Sequence, residues 1–285
     1  MPLIDHSDPI AGWTCGGDYR YVAYGVRVGS WHPLAPLVAV EGDGEPDVRV
    51  RRGVLDQRPF ELRDGFQPHV APNEIWIRHS QVGTFLARQG REIVVDPLPG
   101  VDERVVRSYI VKAALAAVLL QRGKLILHAS GAATGGAGVA FVGASGMGKS
   151  TTSAALHARG HPVIADDLLG VDVRGADGPM ALPGFPQMLL LPESASALGC
   201  DPSSLPRVSP DSRKFKFGAP QGFSLGPAPL RRVYALADAD HDAIEPLDGR
   251  EAVATLVAHT FGIFAFGQGA TPAHFLLCAE LVKRV

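Results

Sequence analysis

Residues 143–150 (Gly-Ala-Ser-Gly-Met-Gly-Lys-Ser) combine three glycines, a lysine and a serine at a spacing that can bind phosphate. They match the pattern GxxxxGK[ST], in which backbone N–H groups surround phosphate oxygens. The apolar residues 138–142 predict a strand before this segment, and residues 151–159 predict a helix after it. A loop between a strand and a helix N-terminus directs N–H groups and the positive end of the helix dipole at one point. We therefore predict a nucleoside triphosphate site.

Within this segment, Lys149 is expected to contact the β- and γ-phosphates, and the Ser150 hydroxyl is expected to bind Mg²⁺. A glycine-rich turn that matches the pattern by chance is the alternative, which the strand–loop–helix context disfavours. The residues predicted to surround the phosphates are Gly143, Ala144, Ser145, Gly146, Met147, Gly148, Lys149, Ser150 and Thr151.

Two adjacent carboxylates, Asp166 and Asp167, follow the apolar residues 162–165. In a strand–helix–strand unit the two strands are usually parallel, so their carboxyl ends meet at one edge of the sheet. We expect one carboxylate to bind Mg²⁺ there and the other to accept the proton of an attacking hydroxyl. The residues leave the roles open, with Asp166 favoured as catalytic base and Asp167 as metal ligand. A helix cap or solvated turn is the alternative for the pair.

Three further side chains are candidates for the same site. His128 ends a predicted strand, 124–128, which a Gly- and Ala-rich loop joins to the strand before the phosphate segment. It can contact the γ-phosphate or the hydroxyl, although a histidine at a strand end is more often structural. Arg213 and Lys214 can neutralise phosphate charge or bind an acidic substrate. A solvated basic loop is the alternative for these two residues.

The elements that must position these groups divide the protein in two. Residues 1–100 contain short β-like stretches, such as 19–28, separated by Gly, Pro and Asp, and predict a smaller β-rich N-terminal domain. Residues 101–285 predict an α/β domain with a central, mostly parallel or mixed sheet. Further predicted elements of this part are helices at 103–121, 192–198, 248–259 and 272–285 and strands at 168–173 and 232–237. Because the sequence stops on an apolar helix, we expect a shortened C-terminus.

Composition limits the class of protein. The 285 residues are 46% hydrophobic, which suffices for a buried core, and the net charge of -2 gives no general attraction to nucleic acid or anionic membrane. The longest apolar run, 113–120, is too short to span a bilayer. Three widely spaced cysteines, Cys15, Cys200 and Cys278, suggest a reducing cytoplasm. Oligomeric state is left open, and a homo-oligomer is compatible with the sequence.

Missing motifs exclude two classes of nucleotide-binding protein. A guanine-specific GTPase needs an Asn-Lys-x-Asp motif, but the single asparagine, Asn73, precedes Glu-Ile-Trp. No Leu-Ser-Gly-Gly-Gln segment follows the phosphate loop, which argues against an ABC ATPase.

Residues 127–131 (Leu-His-Ala-Ser-Gly), 143–150 and 159–167 (Arg-Gly-His-Pro-Val-Ile-Ala-Asp-Asp) together resemble the HPr kinase/phosphorylase group. That group has a histidine on the preceding strand, a P-loop, and an acidic pair after the P-loop helix. The resemblance implies a P-loop kinase domain of the HPr kinase type that uses ATP and Mg²⁺ to phosphorylate a Ser/Thr-type hydroxyl. It also implies that Asp166 is the general base, with His128 beside it.

Residues 182–187 read Leu-Pro-Gly-Phe-Pro-Gln where HPr kinases proper carry a Glu-Ile-Arg-Gly-type signature. The layout is more similar to the HPr-kinase-related proteins of lasso-peptide gene clusters, which phosphorylate a C-terminal serine of a precursor peptide. This resemblance implies a peptide or protein acceptor, with the N-terminal region as a candidate for peptide recognition. A small-molecule hydroxyl kinase and a nucleotide-sensing module without transfer activity are the alternatives.

Overall fold

A computed structural model describes residues 19–56, 60, 63–208, 212–219, 221–261 and 272–285. The beginning of the predicted N-terminal domain and Cys15 lie outside these described residues. The described elements form a mixed α/β structure with two large mixed sheets, the first of them in a β-rich N-terminal region. The predicted fold class is confirmed at that level.

The N-terminal sheet is built from eight strands of the described residues. They are β1 (Tyr19–Ala23), β2 (Val26–Ser30), β3 (Val38–Ala39), β4 (Val48–Arg52), β5 (Phe66–Ala71), β6 (Glu74–His79), β7 (Gly83–Arg88) and β8 (Glu92–Pro97), in the order β3-β1-β2-β4-β8-β7-β6-β5. The stretch 19–28 is therefore a hairpin and not one continuous strand. Tyr24 and Gly25 have φ of 51° and 72°, the backbone that a tight two-residue hairpin turn requires.

The predicted helix at 103–121 is confirmed, but its middle is not α-helical. It begins as α1 (Glu103–Tyr109), passes through a π-helical turn (Ile110–Ala114) and ends as α2 (Leu115–Gln121). The apolar side chains of the π turn and α2 share one core with the N-terminal sheet. The helix therefore packs on the N-terminal sheet while leading into the second sheet.

The second sheet carries the phosphate segment. The remaining strands are β9 (Leu125–Leu127), β10 (Ser130–Thr134), β11 (Ala137–Val142), β12 (Val163–Ala165), β13 (Leu169–Asp172), β14 (Met180–Leu182), β15 (Gln187–Leu190), β16 (Phe215–Gly218) and β17 (Ala228–Ala235). The second sheet has the order β12-β10-β11-β17-β14-β13-β9, and β15 and β16 pair separately. Strands β11 and β17 are parallel and the other described neighbours are antiparallel, so the sheet is mixed.

The prediction of a loop between 128 and 138 was wrong, because this stretch contains β10. Strand β10 is antiparallel to both β11 and β12 and lies between them. Strands β11 and β12 therefore run in the same direction, as predicted, without being neighbours. Small residues suit β10 because the helix after the phosphate segment packs directly on it. Their low β-propensity hid the strand from sequence analysis.

One antiparallel pairing of the second sheet is interrupted in its middle. Its two halves are the pair β9–β13 and the pair β10–β12. Leu127 pairs with Leu169 and Gly131 pairs with Ala165, so both halves keep the same register. The interruption contains His128 on one side and the predicted acidic pair on the other. Residues far apart in sequence thus meet at one break in the sheet.

The remaining described helices are α3 (Lys149–Ala158), α4 (Pro192–Ala197), α5 (Gly249–Ala258) and α6 (Pro272–Val282), and each confirms a predicted helix. Strand β17 begins four residues before its predicted start at 232. Helices α5 and α6 contribute Leu256, Leu277 and Leu281 to the core of the second sheet. None of the helices in the described ranges is long and apolar enough to cross a membrane.

Candidate active site

The phosphate segment connects β11 to α3, as its sequence predicts. The first N–H groups of α3 have no partner within the helix, so they are available to a ligand at its N-terminus. Gly146 and Gly148 have φ of 95° and 87°, a backbone that side chains with Cβ rarely adopt. These glycines let the loop turn sharply where it lines a cleft.

Lys149 is the first residue of α3 and is nearly buried, with 8% of its surface exposed. Its Nζ donates hydrogen bonds to the carbonyl oxygens of Gly143 and Ala144, at 2.7 and 3.1 Å. Burial, with repulsion from Lys214, lowers the pKa of Lys149, and the two aspartates oppose this effect. The ammonium is thus held inside the loop, where a phosphate would meet it.

Asp166 lies beneath the cleft, only 4% exposed. Its Oδ1 accepts a hydrogen bond from the Ser130 hydroxyl at 2.5 Å, and its Oδ2 accepts one from the Leu189 N–H at 2.7 Å. Burial raises the pKa of this carboxyl, while the bonds from Ser130, Leu189 and Ser150 oppose the rise. Asp166 is therefore fixed in place beside the Ser150 hydroxyl.

Asp167 faces the cleft, in contrast to its neighbour, and has a left-handed φ of 70°. Such a backbone is uncommon for a residue other than glycine and recurs at functional sites. Its Oδ2 accepts a hydrogen bond from Lys112 Nζ at 2.6 Å. Burial alone would raise the pKa of Asp167, but the charges of Lys112, His128 and Lys214 outweigh burial and hold it below its usual value. Asp167 is therefore ionised at neutral pH.

His128 lies next to Asp167. Its Nδ1 is 3.1 Å from the Asp167 carbonyl oxygen and 3.6 Å from Oδ1 of the same residue. Burial lowers the pKa of His128 and Lys149 adds to this, although Asp167 favours the charged form. The backbone N–H of His128 donates to the His259 carbonyl at the end of α5, which fixes its position. The family resemblance implies His128 beside Asp166, whereas its contacts in this site are with Asp167.

Lys112 is a site residue that sequence analysis missed. It lies in the π-helical turn, and π turns are frequent at functional sites. One signal was available, because Lys112 is the single charged residue between Ser108 and Gln121. A charge inside so apolar a helix needs a partner, and Asp167 supplies it.

The two basic candidates, Arg213 and Lys214, have different surroundings. Lys214 lines the cleft together with the phosphate loop. Arg213 is exposed and pairs instead with Glu193 of α4, at 2.8 Å. The phosphate contact predicted for Arg213 therefore stays a prediction.

The donors suited to Mg²⁺ are the Ser150 hydroxyl and one carboxylate of the acidic pair. Within the described ranges, no three His, Cys, Asp or Glu side chains form a metal cluster. Mg²⁺ is commonly held by one or two carboxylates together with substrate phosphates, so this donor set fits it. Asp166 lies beside the Ser150 hydroxyl, so it can hold the ion together with Ser150 through water, since its own oxygens accept hydrogen bonds from Ser130 and Leu189.

One cleft thus gathers most of the predicted residues. It is lined by His128, Ser145, Gly146, Gly148, Lys149, Ser150, Thr151, Asp167 and Lys214. Comparison with protein-family models and with curated proteins gives no match to this sequence. Functional inference therefore depends on the residues of this cleft.

Proposed function

We propose that the protein is an ATP-dependent kinase that phosphorylates a serine-type hydroxyl of a peptide or protein. One observation carries the proposal. An ionised carboxylate, Asp167, faces the same cleft as the phosphate loop and is held there by Lys112 at 2.6 Å. A phosphate site with a placed proton acceptor is the minimal arrangement for phosphoryl transfer to a hydroxyl.

The roles follow from position. The loop N–H groups and Lys149 bind the phosphates of ATP, and Asp167 orients the acceptor hydroxyl. In the transfer, the hydroxyl oxygen bonds to the γ-phosphorus while the bond from phosphorus to the β–γ bridging oxygen breaks and ADP leaves. The hydroxyl proton passes to Asp167. Ser150 and Asp166 would hold Mg²⁺, which would supply positive charge to neutralise the phosphates.

This proposal exchanges the roles favoured from the sequence, in which Asp166 is the base and Asp167 the metal ligand. A proton acceptor must reach the hydroxyl, and Asp167 faces the cleft whereas Asp166 is 4% exposed. Both Asp166 oxygens already accept hydrogen bonds from Ser130 and Leu189. His128 then supports Asp167, because its Nδ1 lies 3.1 Å from the Asp167 carbonyl oxygen and 3.6 Å from Oδ1 of the carboxylate.

The acceptor class rests on the resemblance to lasso precursor-peptide kinases, with a P-loop kinase domain of the HPr kinase type. A small-molecule hydroxyl kinase and a nucleotide-sensing module predict different products. Incubation with MgATP and either serine peptides or free serine, followed by mass spectrometry, separates the three. Added phosphate on a peptide supports the proposal, phosphoserine alone supports the second function, and ATP binding without any phosphorylated product supports the third.

The Asp166→Asn and Asp167→Asn variants test the role assignment. We expect Asp167→Asn to retain ATP binding and to lose about 10²- to 10⁴-fold in transfer, the usual contribution of a general base. Asp166→Asn is expected to raise the Mg²⁺ concentration needed for half-maximal transfer. Near-normal transfer by Asp167→Asn, with a large loss of kcat at saturating Mg²⁺ in Asp166→Asn, would return the base role to Asp166.

A further inference from the structure

A second cleft, of about 170 Å³, lies between the N-terminal region, the helix formed by α1 and the π turn, and the strand pair β15–β16. Pro36 of the N-terminal region lines this cleft, together with Phe185 and Gln187 at the start of β15. Helix α1 and the π turn close it through Arg107 and Lys112. Both parts of the protein therefore contribute to one surface.

The charges on this cleft are of one sign. The described residues that line it include four cations, Arg104, Arg107, Lys112 and Lys216, and no carboxylate. Two of these cations are paired outside the cleft, since Arg104 binds Asp102 and Lys112 binds Asp167. Arg107 and Lys216 are left to act on a ligand.

Arg107 has a donor without a partner among the described residues, and Lys216 lies close to other cations. Arg107 Nε is buried and has no hydrogen-bond partner among the described residues. Burial lowers the pKa of Lys216, and repulsion from Lys112, Arg107 and Arg104 adds to that effect. An anion bound between Arg107 and Lys216 would satisfy the donor and relieve the repulsion.

The second cleft adjoins the cleft of the candidate active site, which is called the phosphate cleft below. Leu189 lines both clefts, and Lys112 lines the second while its Nζ contacts Asp167 in the first. A ligand in the second cleft would therefore lie beside Lys112 and close to Asp167. The positions suit an acceptor whose hydroxyl reaches Asp167 while a negatively charged group of the same molecule binds Arg107 and Lys216.

We infer that the second cleft is the acceptor site and that it selects a hydroxyl with a nearby carboxylate, which Arg107 and Lys216 bind. This inference rests on the proposed kinase function and names its substrate class. The carboxylate can be the C-terminus of a peptide, an acidic side chain or the carboxylate of a free hydroxy amino acid.

The experiment compares four acceptors with MgATP. They are acetyl-Ala-Ala-Ser with a free carboxylate, the same peptide as its C-terminal amide, acetyl-Ala-Ser-Asp-amide, and free serine. We expect kcat/KM to be about 10- to 100-fold higher for acceptors with a carboxylate than for the Ser-amide peptide, as for other charge-assisted hydrogen bonds. The rank of the three carboxylate-bearing acceptors identifies the source of the anion.

The variants Arg107→Gln and Lys216→Gln test the residues. Each is expected to raise KM for the preferred acceptor about 10-fold or more and to leave KM for ATP unchanged. Lys283→Gln is the control, since it removes the same charge from an exposed lysine that follows α6. An unchanged affinity for MgATP and an unchanged Tm show that each variant is folded.

Direct binding separates this inference from the proposed function. A fluorescein-labelled Ala-Ala-Ser carboxylate peptide is titrated with the protein loaded with MgADP, which needs no phosphoryl transfer. Binding that Arg107→Gln weakens, combined with no phosphorylated product when MgATP replaces MgADP, supports the anion site and contradicts the kinase proposal. Equal transfer to the carboxylate and amide peptides, unaffected by Arg107→Gln, overturns the anion site and leaves the kinase proposal intact.

Discussion

Lys112 donates a hydrogen bond of 2.6 Å to Asp167, and this contact joins the N-terminal core to the cleft of the second sheet. The neighbours of Lys112 in the π turn, Val111 and Ala113, are buried in the same core as the N-terminal sheet. The charge state of Asp167 therefore depends on a helix that the N-terminal sheet supports. The β-rich region is a structural partner of the site as well as a wall of the second cleft.

Lys112→Met is expected to weaken phosphoryl transfer at pH 7 and to change its pH dependence. Without Lys112, less positive charge opposes the effect of burial, so the pKa of Asp167 rises. The base must be ionised, so the acidic limb of the kcat/KM profile should move to higher pH. An unshifted limb would show that Asp167 is not the base.

Lys124→Met is the matched control for that variant. Lys124 Nζ also contacts a carboxylate, Asp172, at 2.6 Å, and both side chains are about as exposed as Lys112 and Asp167. Lys124 does not line the phosphate cleft. We expect this variant to keep the activity and the pH profile of the parent protein, so a similar shift in both would indicate a general effect of charge.

Ser130→Ala is expected to destabilise the fold by about 1 to 3 kcal/mol, the usual cost of leaving a buried acceptor without its donor. Ser130 is completely buried and donates to Asp166 Oδ1. Ser153→Ala is the control, because Ser153 is equally buried but makes only a 3.4 Å contact with a backbone carbonyl. Urea unfolding of both variants measures the difference. Equal losses would mean that the bond to Asp166 contributes no special stabilisation.

The phosphate loop and the acidic pair could be predicted from sequence because each depends on local spacing. Residues 143–150 carry their own turn glycines and helix start, and the acidic pair directly ends a short apolar strand. Helix positions were also predictable, since apolar periodicity and caps such as Asp248 are local signals.

The residues that donate hydrogen bonds to the two carboxylates, Ser130 and Lys112, could not be predicted in this way. Their positions next to the carboxylates depend on contacts between distant parts of the sequence. Ser130 meets Asp166 because β9–β10 and β12–β13 keep one register across their interruption. No local pattern encodes that register, and the Gly- and Ala-rich sequence of β10 indicates a loop. Lys112 reaches Asp167 from a π turn, which helical periodicity does not reveal.

Asp166→Asn is expected to gain stability relative to the parent protein as the pH rises from about 4, the ordinary pKa of an aspartate, through the raised pKa of Asp166. Burial raises the pKa of Asp166 above the ordinary value of about 4. The folded state then holds this proton more tightly than the unfolded state, so the stabilising contribution is lost as the pH rises through the raised pKa. Asparagine does not titrate. Urea unfolding at several pH values across this range gives the difference in unfolding free energy, and a flat or falling difference would contradict the raised pKa.

Gly148→Ala is expected to weaken MgATP binding and to destabilise the protein by about 1 to 2 kcal/mol, the cost of a left-handed backbone for a residue with Cβ. Gly148 has φ of 87°, and nothing lies within 4 Å of an added Cβ, so the effect comes from the backbone and not from a clash. Gly249→Ala, at the first residue of α5, is the control because its Cβ also meets open space and its φ lies outside the left-handed range. Thermal unfolding without MgATP measures the stability of each variant, and the rise in Tm on adding MgATP measures its binding. A loss of ATP-dependent stabilisation in Gly148→Ala alone ties that glycine's backbone to phosphate binding, whereas equal behaviour of the two variants would contradict it.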